Sequence, residues 1–349
     1  MSDNNQRFEH RELEKWTSAV FAKAGVDPAD ADRTARVLVR TNLRGIDTHG
    51  VSRAPGYVEK ILSGEVNPRP RTESAMRDGV LYFNGDGGLG QSVAMQAVHE
   101  AIELARETSV LTCLIRGSGH LAALGQFVLE VAERGMIGIM LQETPPLMAL
   151  KGSKRPSIGN NPIAFASPVK DRAPLVFDMA TSVVARGNVL QAIGDGKTSI
   201  PEGWAIGPDG ELTTDPHLAL KGAMLPVSGH KGIGLAMMVQ VLAGSLTAST
   251  TAQSAAKHSA MSSAGNISAF LMVINPDRIV GRDNFDEHVR QWLDTYLAAS
   301  GEGSRYPGSR AAECEESRLS SGIPISASTL RELRKLGTSR GVEFDLVAR

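Results

Sequence analysis

Gly85-Asp86-Gly87-Gly88-Leu89-Gly90 is the stretch on which the fold turns. It matches G-x-G-x-x-G and lies between a strand-like run, Val80-Leu81-Tyr82-Phe83, and a helix expected from Ser92 to about Thr108; a further strand, Val110–Ile115, follows. In that context glycines let the backbone approach a dinucleotide's diphosphate at a helix N-terminus. Arg116 stands where a partner for an NADP-type phosphate would sit. The rest of the chain speaks against a doubly wound Rossmann sheet, which needs an unbroken β-α-β series. Here 144–162 is rich in proline, glycine and basic residues, 193–215 is turn-rich, and 247–266 is small, polar and low in complexity. A glycine turn that only reverses the chain is the favoured reading; a true Rossmann dehydrogenase using Gly85–Gly90 is an alternative.

Upstream the period is helical. Leu13, Trp16, Val20, Phe21 and Ala24 share one helix face, Gly25 closes that helix, and Asp27-Pro28 starts a second that runs to about Leu43. Downstream, strands are expected at 137–141, 163–166, 175–177 and 270–274. Helices are expected at 124–134, from about Gly232 with Leu235, Met238, Val239 and Leu242 on one face, and around Phe285, Val289, Trp292, Leu293, Tyr296 and Leu297. A last helix carries Leu330, Leu333 and Leu336 and is capped by Gly337, while 301–322 reads as a loop. At 349 residues the chain predicts two or three subdomains. The 36 glycines and 5% aromatic content fit an α/β enzyme. A formal charge of −1 gives no bulk reason to expect nucleic acid or an anionic membrane as partner. No apolar run approaches a membrane span, no signal-peptide core opens the chain, and two cysteines far apart, Cys113 and Cys314, read as free thiols; the expectation is a cytoplasmic protein.

The chemistry-bearing stretch is Asp47-Thr48-His49-Gly50-Val51-Ser52-Arg53-Ala54-Pro55-Gly56-Tyr57. A histidine carries a proton near neutral pH, and an arginine four residues on grips a carboxylate with two parallel hydrogen bonds. Together they suit redox or acid–base chemistry on a small 2-substituted acid. Arg116-Gly117-Ser118-Gly119-His120 puts a second histidine at a strand end by a helix mouth, either as a functional group or as a capping side chain. Gly159-Asn160-Asn161-Pro162, Asp178-Met179-Ala180-Thr181-Ser182 and Gly229-His230-Lys231-Gly232 join tight turns to polar groups. His49, His120 and His230 lack the spacing of a helical ligand pair, so no metal is expected.

Taken in order, these segments and Pro307-Gly308 resemble the malate/L-lactate dehydrogenase family of the second, non-Rossmann type, along nearly the whole chain. That family includes malate, lactate, sulfolactate and ureidoglycolate dehydrogenases and imino-acid reductases acting on Δ1-piperideine- and Δ1-pyrroline-2-carboxylate. The resemblance implies an α/β (α+β) fold with a non-Rossmann NAD(P)-binding sheet domain (76–122 plus 223–279), a helical domain from both termini (1–75 plus 280–349) and an inserted domain (123–222). It implies NADP or NAD as cofactor, NADP slightly preferred because Arg305 and Arg310 could meet a 2′-phosphate, a small carboxylate substrate and a homodimer. It casts Thr48, His49 and His120 as catalytic, and Arg53, Tyr57 and Asn160 as substrate-binding. It places His120, Leu121, Ala122, Ala123, Leu124, Asp178, Met179, Ala180, His230, Lys231, Arg305, Gly308 and Arg310 at the cofactor. There are departures. The family usually reads His-Phe-Gly-Ala-Ala-Gly-Tyr where this chain has His120-Leu121-Ala122-Ala123-Leu124-Gly125-Gln126, and Gly-Thr-Asn-Pro where it has Gly159-Asn160-Asn161-Pro162. Such departures motivate a second alternative, a family member that binds a ligand or nucleotide without catalysis.

Overall fold

Both chain ends build one helical unit. The computed structural model describes residues 5–153, 155–248, 267–301 and 303–349. Strand β1 (Gln6–Phe8) leads into α1 (His10–Lys23), α2 (Pro28–Leu43) and α3 (Ala54–Leu62). The Glu9 carboxylate accepts the Glu12 N–H to cap α1, and Asp27 caps α2 ahead of Pro28. Leu13, Trp16, Val20 and Phe21 are buried as their spacing predicts.

The middle of the chain supplies the sheet. In order come β2 (Glu73–Arg77), β3 (Val80–Gly88), α4 (Gly90–Ala105), β4 (Val110–Ser118), α5 (Gly125–Glu133), β5 (Ile137–Gln142), β6 (Ile163–Ser167) and β7 (Leu175–Met179). Then follow α6 (Arg186–Gly194), β8 (Ala205–Ile206), β9 (Leu212–Thr213), α7 (Pro216–Lys221), β10 (Ala223–Met224) and α8 (His230–Val239), which runs on as a π turn through Gln240–Ser245. The last elements are β11 (Ile267–Ile274), α9 (Arg282–Ser300), α10 (Ser309–Ser321), β12 (Ile323–Ile325) and α11 (Ala327–Arg340).

Seven strands form the main sheet in the order β2-β3-β4-β11-β5-β6-β7. Among the described residues its only parallel pairing is β3 with β4; every other neighbour is antiparallel. A doubly wound sheet is therefore ruled out, and with it the Rossmann alternative. The presumed glycine loop is itself mostly strand, because β3 continues to Gly88 across a register shift and α4 starts at Gly90. A side chain at Gly85 would run into Val93 and the Gly117 carbonyl, and one at Gly90 into the carbonyls of Gly119 and His120. These glycines let β3, α4 and β4 pack closely and leave no groove for a phosphate.

Among the described residues five apolar clusters form, of which three are the largest. Sheet residues pack with α4 and α5 around Leu81, Ile102, Ile115, Phe127 and Leu271. Phe8, Trp16, Phe21, Leu38 and Val58 pack with Ile323, Leu333 and Phe344, so one core is built from both termini. A smaller core holds Met148, Val189, Ala205 and Met224.

Three local expectations are corrected. The polar stretch read as a loop over 301–322 contains helix α10, which buries none of its residues and is tied to α2 by Arg40 and Arg44 on Glu315, so apolar periodicity could not reveal it. The last helix runs past Gly337 to Arg340, and Gly341, at φ +67°, is its left-handed terminus; at 337 a side chain would strike the Val342 carbonyl and crowd Trp16. Helix α8 turns Gly232, Ala236 and Val239 inward, while Leu235 and Met238 are 37% and 42% exposed. Of the low-complexity stretch 247–266, residues 249–266 lie outside the described residues. Among the described residues no helix is long and apolar enough to cross a membrane.

Candidate active site

After α2 the chain makes two 3-10 turns, Asp47–His49 and Val51–Arg53, before α3. A buried side chain, Asn42, organises them: its Oδ1 accepts the Val51 N–H (2.8 Å) and its Nδ2 donates to Asp47 Oδ1 (2.7 Å). Gly50 faces that amide with no room for a Cβ. Asp47 is also gripped by both terminal nitrogens of Arg318 from α10 (2.7 and 3.0 Å), and its carbonyl accepts the Ser52 hydroxyl (2.7 Å). The turn thus holds Thr48 and His49 from beneath, leaving Thr48 Oγ1 3.0 Å from His49 Nδ1. The Thr48 carbonyl accepts Arg53 Nε (2.6 Å). Nothing among the described residues hydrogen-bonds the two terminal nitrogens of Arg53. A Cβ at Gly187, near the start of α6, would lie 3.5 Å from Nη2.

His120 follows the end of β4. Its Nδ1 is 2.9 Å from the Tyr57 hydroxyl, and its ring centroid is 6.3 Å from that of His49. Gln91, fully buried on α4, donates from Nε2 both to the Tyr57 hydroxyl (2.9 Å) and to the His120 carbonyl (2.9 Å). Both imidazoles are half-buried. Burial first, and Arg53 second, push the His49 pKa down to about 4. Burial, then His49, Arg53 and Lys60, push His120 down to about 3. Burial raises Tyr57 to about 12, against the opposing pull of Arg53 and Gln91. At neutral pH both rings are therefore uncharged, next to an arginine with free donors. A cavity of about 410 Å³ lies behind the turn, lined by Arg7, Asp47, Ser52, Cys314 and Arg318, away from the His49 and His120 rings.

The expected cofactor residues gather on a second side. Asp178 ends β7 and accepts the Gly125 N–H at the mouth of α5 (2.7 Å); burial raises its carboxyl to about 6 although one face is open to solvent. After Met179 and Ala180, Thr181 and Val183 pair with Val227 and Leu225, which brings Ala180 close to the start of α8. Ser228 (φ +49°) and Gly229 (φ +60°) turn the chain so that α8 opens without a side-chain cap, and His230 and Lys231 are exposed there. Asn160 joins this side: its Oδ1 accepts the Thr144 hydroxyl (2.9 Å) and its carbonyl the Thr181 N–H (2.9 Å). Gly308 (φ +98°) lies against the edge of β7, where the Pro307 carbonyl accepts the Val176 N–H (2.9 Å). Arg305 pairs with Glu313 (2.7 Å), and Arg310 is exposed with no partner among the described residues.

The segment 120–125 connects the two sides, bonding to Tyr57 at His120 and to Asp178 at Gly125. Within it the side chains of Leu121 and Leu124 turn into the sheet core and are fully buried. Ala122 and Ala123 are also buried, and Ala122 adopts φ +69°, a left-handed backbone, at the position where the family usually has glycine. Sequence reasoning missed Gln91, Asn42, Arg318 and the fully buried Asn161, whose Oδ1 accepts the Thr144 N–H (2.9 Å) and whose Nδ2 donates to the Ala236 carbonyl (2.9 Å). For Asn161 the signal was its place in the Gly-Asn-Asn-Pro turn; the other three show in no motif. Among the described residues no three His, Cys, Asp or Glu side chains cluster as metal ligands.

Residues 8–334 match the malate/L-lactate dehydrogenase family. The chain is 36% identical to a malate dehydrogenase of Pyrococcus horikoshii, over 98% of each chain. It is 34% identical to a (2R)-3-sulfolactate dehydrogenase (NADP(+)) of Chromohalobacter salexigens, over 95% of this chain and 98% of that one. The solved Δ1-piperideine-2-carboxylate reductase of Pseudomonas syringae superposes with a TM-score of 0.86 at 30% identity, over 95% of this chain and 99% of that one. The chain belongs to the malate/L-lactate dehydrogenase family. It is an NAD(P)-dependent dehydrogenase of that family.

Proposed function

We propose that the chain transfers hydride between the nicotinamide of NAD(P)H and C2 of a small 2-oxo or 2-hydroxy acid or a cyclic 2-imino acid, with proton transfer at His49. The observation that carries the reading is the convergence of the neutral His49 and His120 rings, 6.3 Å apart, with the Arg53 guanidinium, whose terminal nitrogens have no hydrogen-bond partner among the described residues. Arg53 takes the substrate carboxylate through a two-pronged bond and so fixes C2 in place. His49, oriented by Thr48, gives its proton to the developing alkoxide or amine in reduction and takes it back in oxidation. Tyr57 and Asn160 shape the substrate's surroundings.

The residues present fit the cofactor. The start of α8, with its helix dipole and the exposed Lys231, favours a diphosphate by charge, since the Lys231, Gly232 and Ile233 N–H groups bond the Ser228, Val227 and Gly229 carbonyls, and Asp178 with Met179 and Ala180 lies next to it. When bound, the nicotinamide supplies or accepts the hydride. Arg310, exposed and without a partner among the described residues, is assigned to the 2′-phosphate, which favours NADP over NAD. The exposed Leu235, Met237, Met238 and Val241 along α8 support a homodimer that covers them. Two free thiols suit a reducing cytoplasm. The complete His49, Arg53, Tyr57 and His120 set disfavours a binder without catalysis.

The test is loss of NADPH or NADH absorbance against pyruvate, oxaloacetate, sulfopyruvate and Δ1-piperideine- and Δ1-pyrroline-2-carboxylate, with cofactor affinity measured separately. His49→Ala should lower turnover by about 10²–10⁴-fold with cofactor affinity unchanged. Cofactor binding without turnover on any of these acids would contradict the proposal.

A further inference from the structure

We propose that Gln91 is a positioning residue that fixes the tautomer of His120, leaving Nδ1 bare and the hydrogen on Nε2. The orientation of the Gln91 amide is set by the His120 carbonyl, 2.9 Å away, which can only accept; turning the amide over would set two oxygens face to face. Nε2 therefore also donates to the Tyr57 hydroxyl, 2.9 Å away. That hydroxyl, now an acceptor, has one hydrogen to place, and the only other partner it has among the described residues is His120 Nδ1 at 2.9 Å. If Nδ1 carried a hydrogen instead, the tyrosine hydrogen would be stranded in a side chain only 6% exposed. Such a stranding leaves a buried donor unsatisfied, which folded proteins avoid. The bonding therefore runs in one direction, from Gln91 to Tyr57 to His120.

The consequence divides the labour of the two histidines and rests on the proposed hydride-transfer reading. His120 presents an N–H and no basic nitrogen on its open side, so it holds the substrate's C2 oxygen or nitrogen as a donor. Proton carriage falls to His49. The Gln91 Oε1 atom is buried without a partner, so the amide is kept for its donor end.

Long-range proton–nitrogen NMR on protein labelled with ¹⁵N-histidine reads the tautomer in the resting enzyme, with the His120 signals assigned by loss in His120→Gln. The expected result is a hydrogen on Nε2 in the native protein and a mixed tautomer, with Nδ1–H now populated, in both Gln91→Met and Tyr57→Phe. In Gln91→Met kcat should fall about tenfold, the value of one hydrogen bond, with the KM for cofactor unchanged. Nδ1–H in the native protein, or an unchanged tautomer in folded Gln91→Met, overturns the proposal. If Gln91→Met does not fold, the native spectrum and Tyr57→Phe still decide. Absence of turnover on every acid would strike the hydride-transfer reading and leave the spectroscopic result standing.

Discussion

Two glycine-rich stretches, each opening a helix, differ in what surrounds their first glycine. Gly85–Gly90 has the spacing of a phosphate-binding loop, yet protein atoms fill the space above Gly85, Gly88 and Gly90. Gly229-His230-Lys231-Gly232 has no such spacing: its Gly232 is packed against the Val227 and Thr181 backbone, while a side chain at Gly229 would meet nothing within 4 Å and Lys231 beside it is exposed. The difference is what occupies the volume a Cβ would take. Where that volume holds backbone, the glycine serves packing; where it is empty, the glycine leaves room for a ligand or only sets a turn.

Substitutions can break this contrast. Gly90→Ala should cost about 1–3 kcal/mol or more by overpacking against two carbonyls, measured by chemical denaturation, while the folded fraction keeps its cofactor affinity. Loss of cofactor binding with stability intact would restore the phosphate-loop reading. Lys231→Met should weaken cofactor binding about tenfold and leave the melting temperature in place, because removing an exposed charge touches binding alone. A pure stability change would take Lys231 out of the site. The smallest effects are gains. Gly234→Ala, in open space on a helix, should stabilise by up to about 1 kcal/mol. Ala122→Gly should gain a similar amount by relieving a left-handed alanine. A loss in the second case would mean that the Ala122 methyl matters more to packing than its backbone strain.

The turn proposed to be catalytic was legible because its polar groups are close in sequence. His49, Arg53 and Tyr57 fall within nine residues, and local turns are enough to bring them together. What holds them was not legible. Arg318 reaches Asp47 across 271 positions from a helix with no apolar stripe, and Gln91 works through hydrogen bonds that no spacing encodes. The sheet was legible strand by strand but its order was not, since β11 inserts between β4 and β5 from far along the chain. The inward face of α8 was misread for a related reason. Gly232 and Ala236 turn inward toward Val227, Thr181 and the Met148 core, and the large apolar residues that dominate the pattern face outward.

The central claim is that His49 is the proton carrier and is neutral in the free enzyme because burial and Arg53 hold its pKa near 4. The direct measurement is kcat/KM against pH in both directions, with the acid the substrate panel identifies and with His49→Asn beside the native enzyme. Oxidation needs the neutral ring and should be flat above about pH 5. Reduction needs the protonated ring and should fall about tenfold per pH unit above about pH 4, and the variant should lose both limbs. An oxidation profile that declines below neutrality with a midpoint near the ordinary histidine value, or a variant that keeps the native profile, would contradict it.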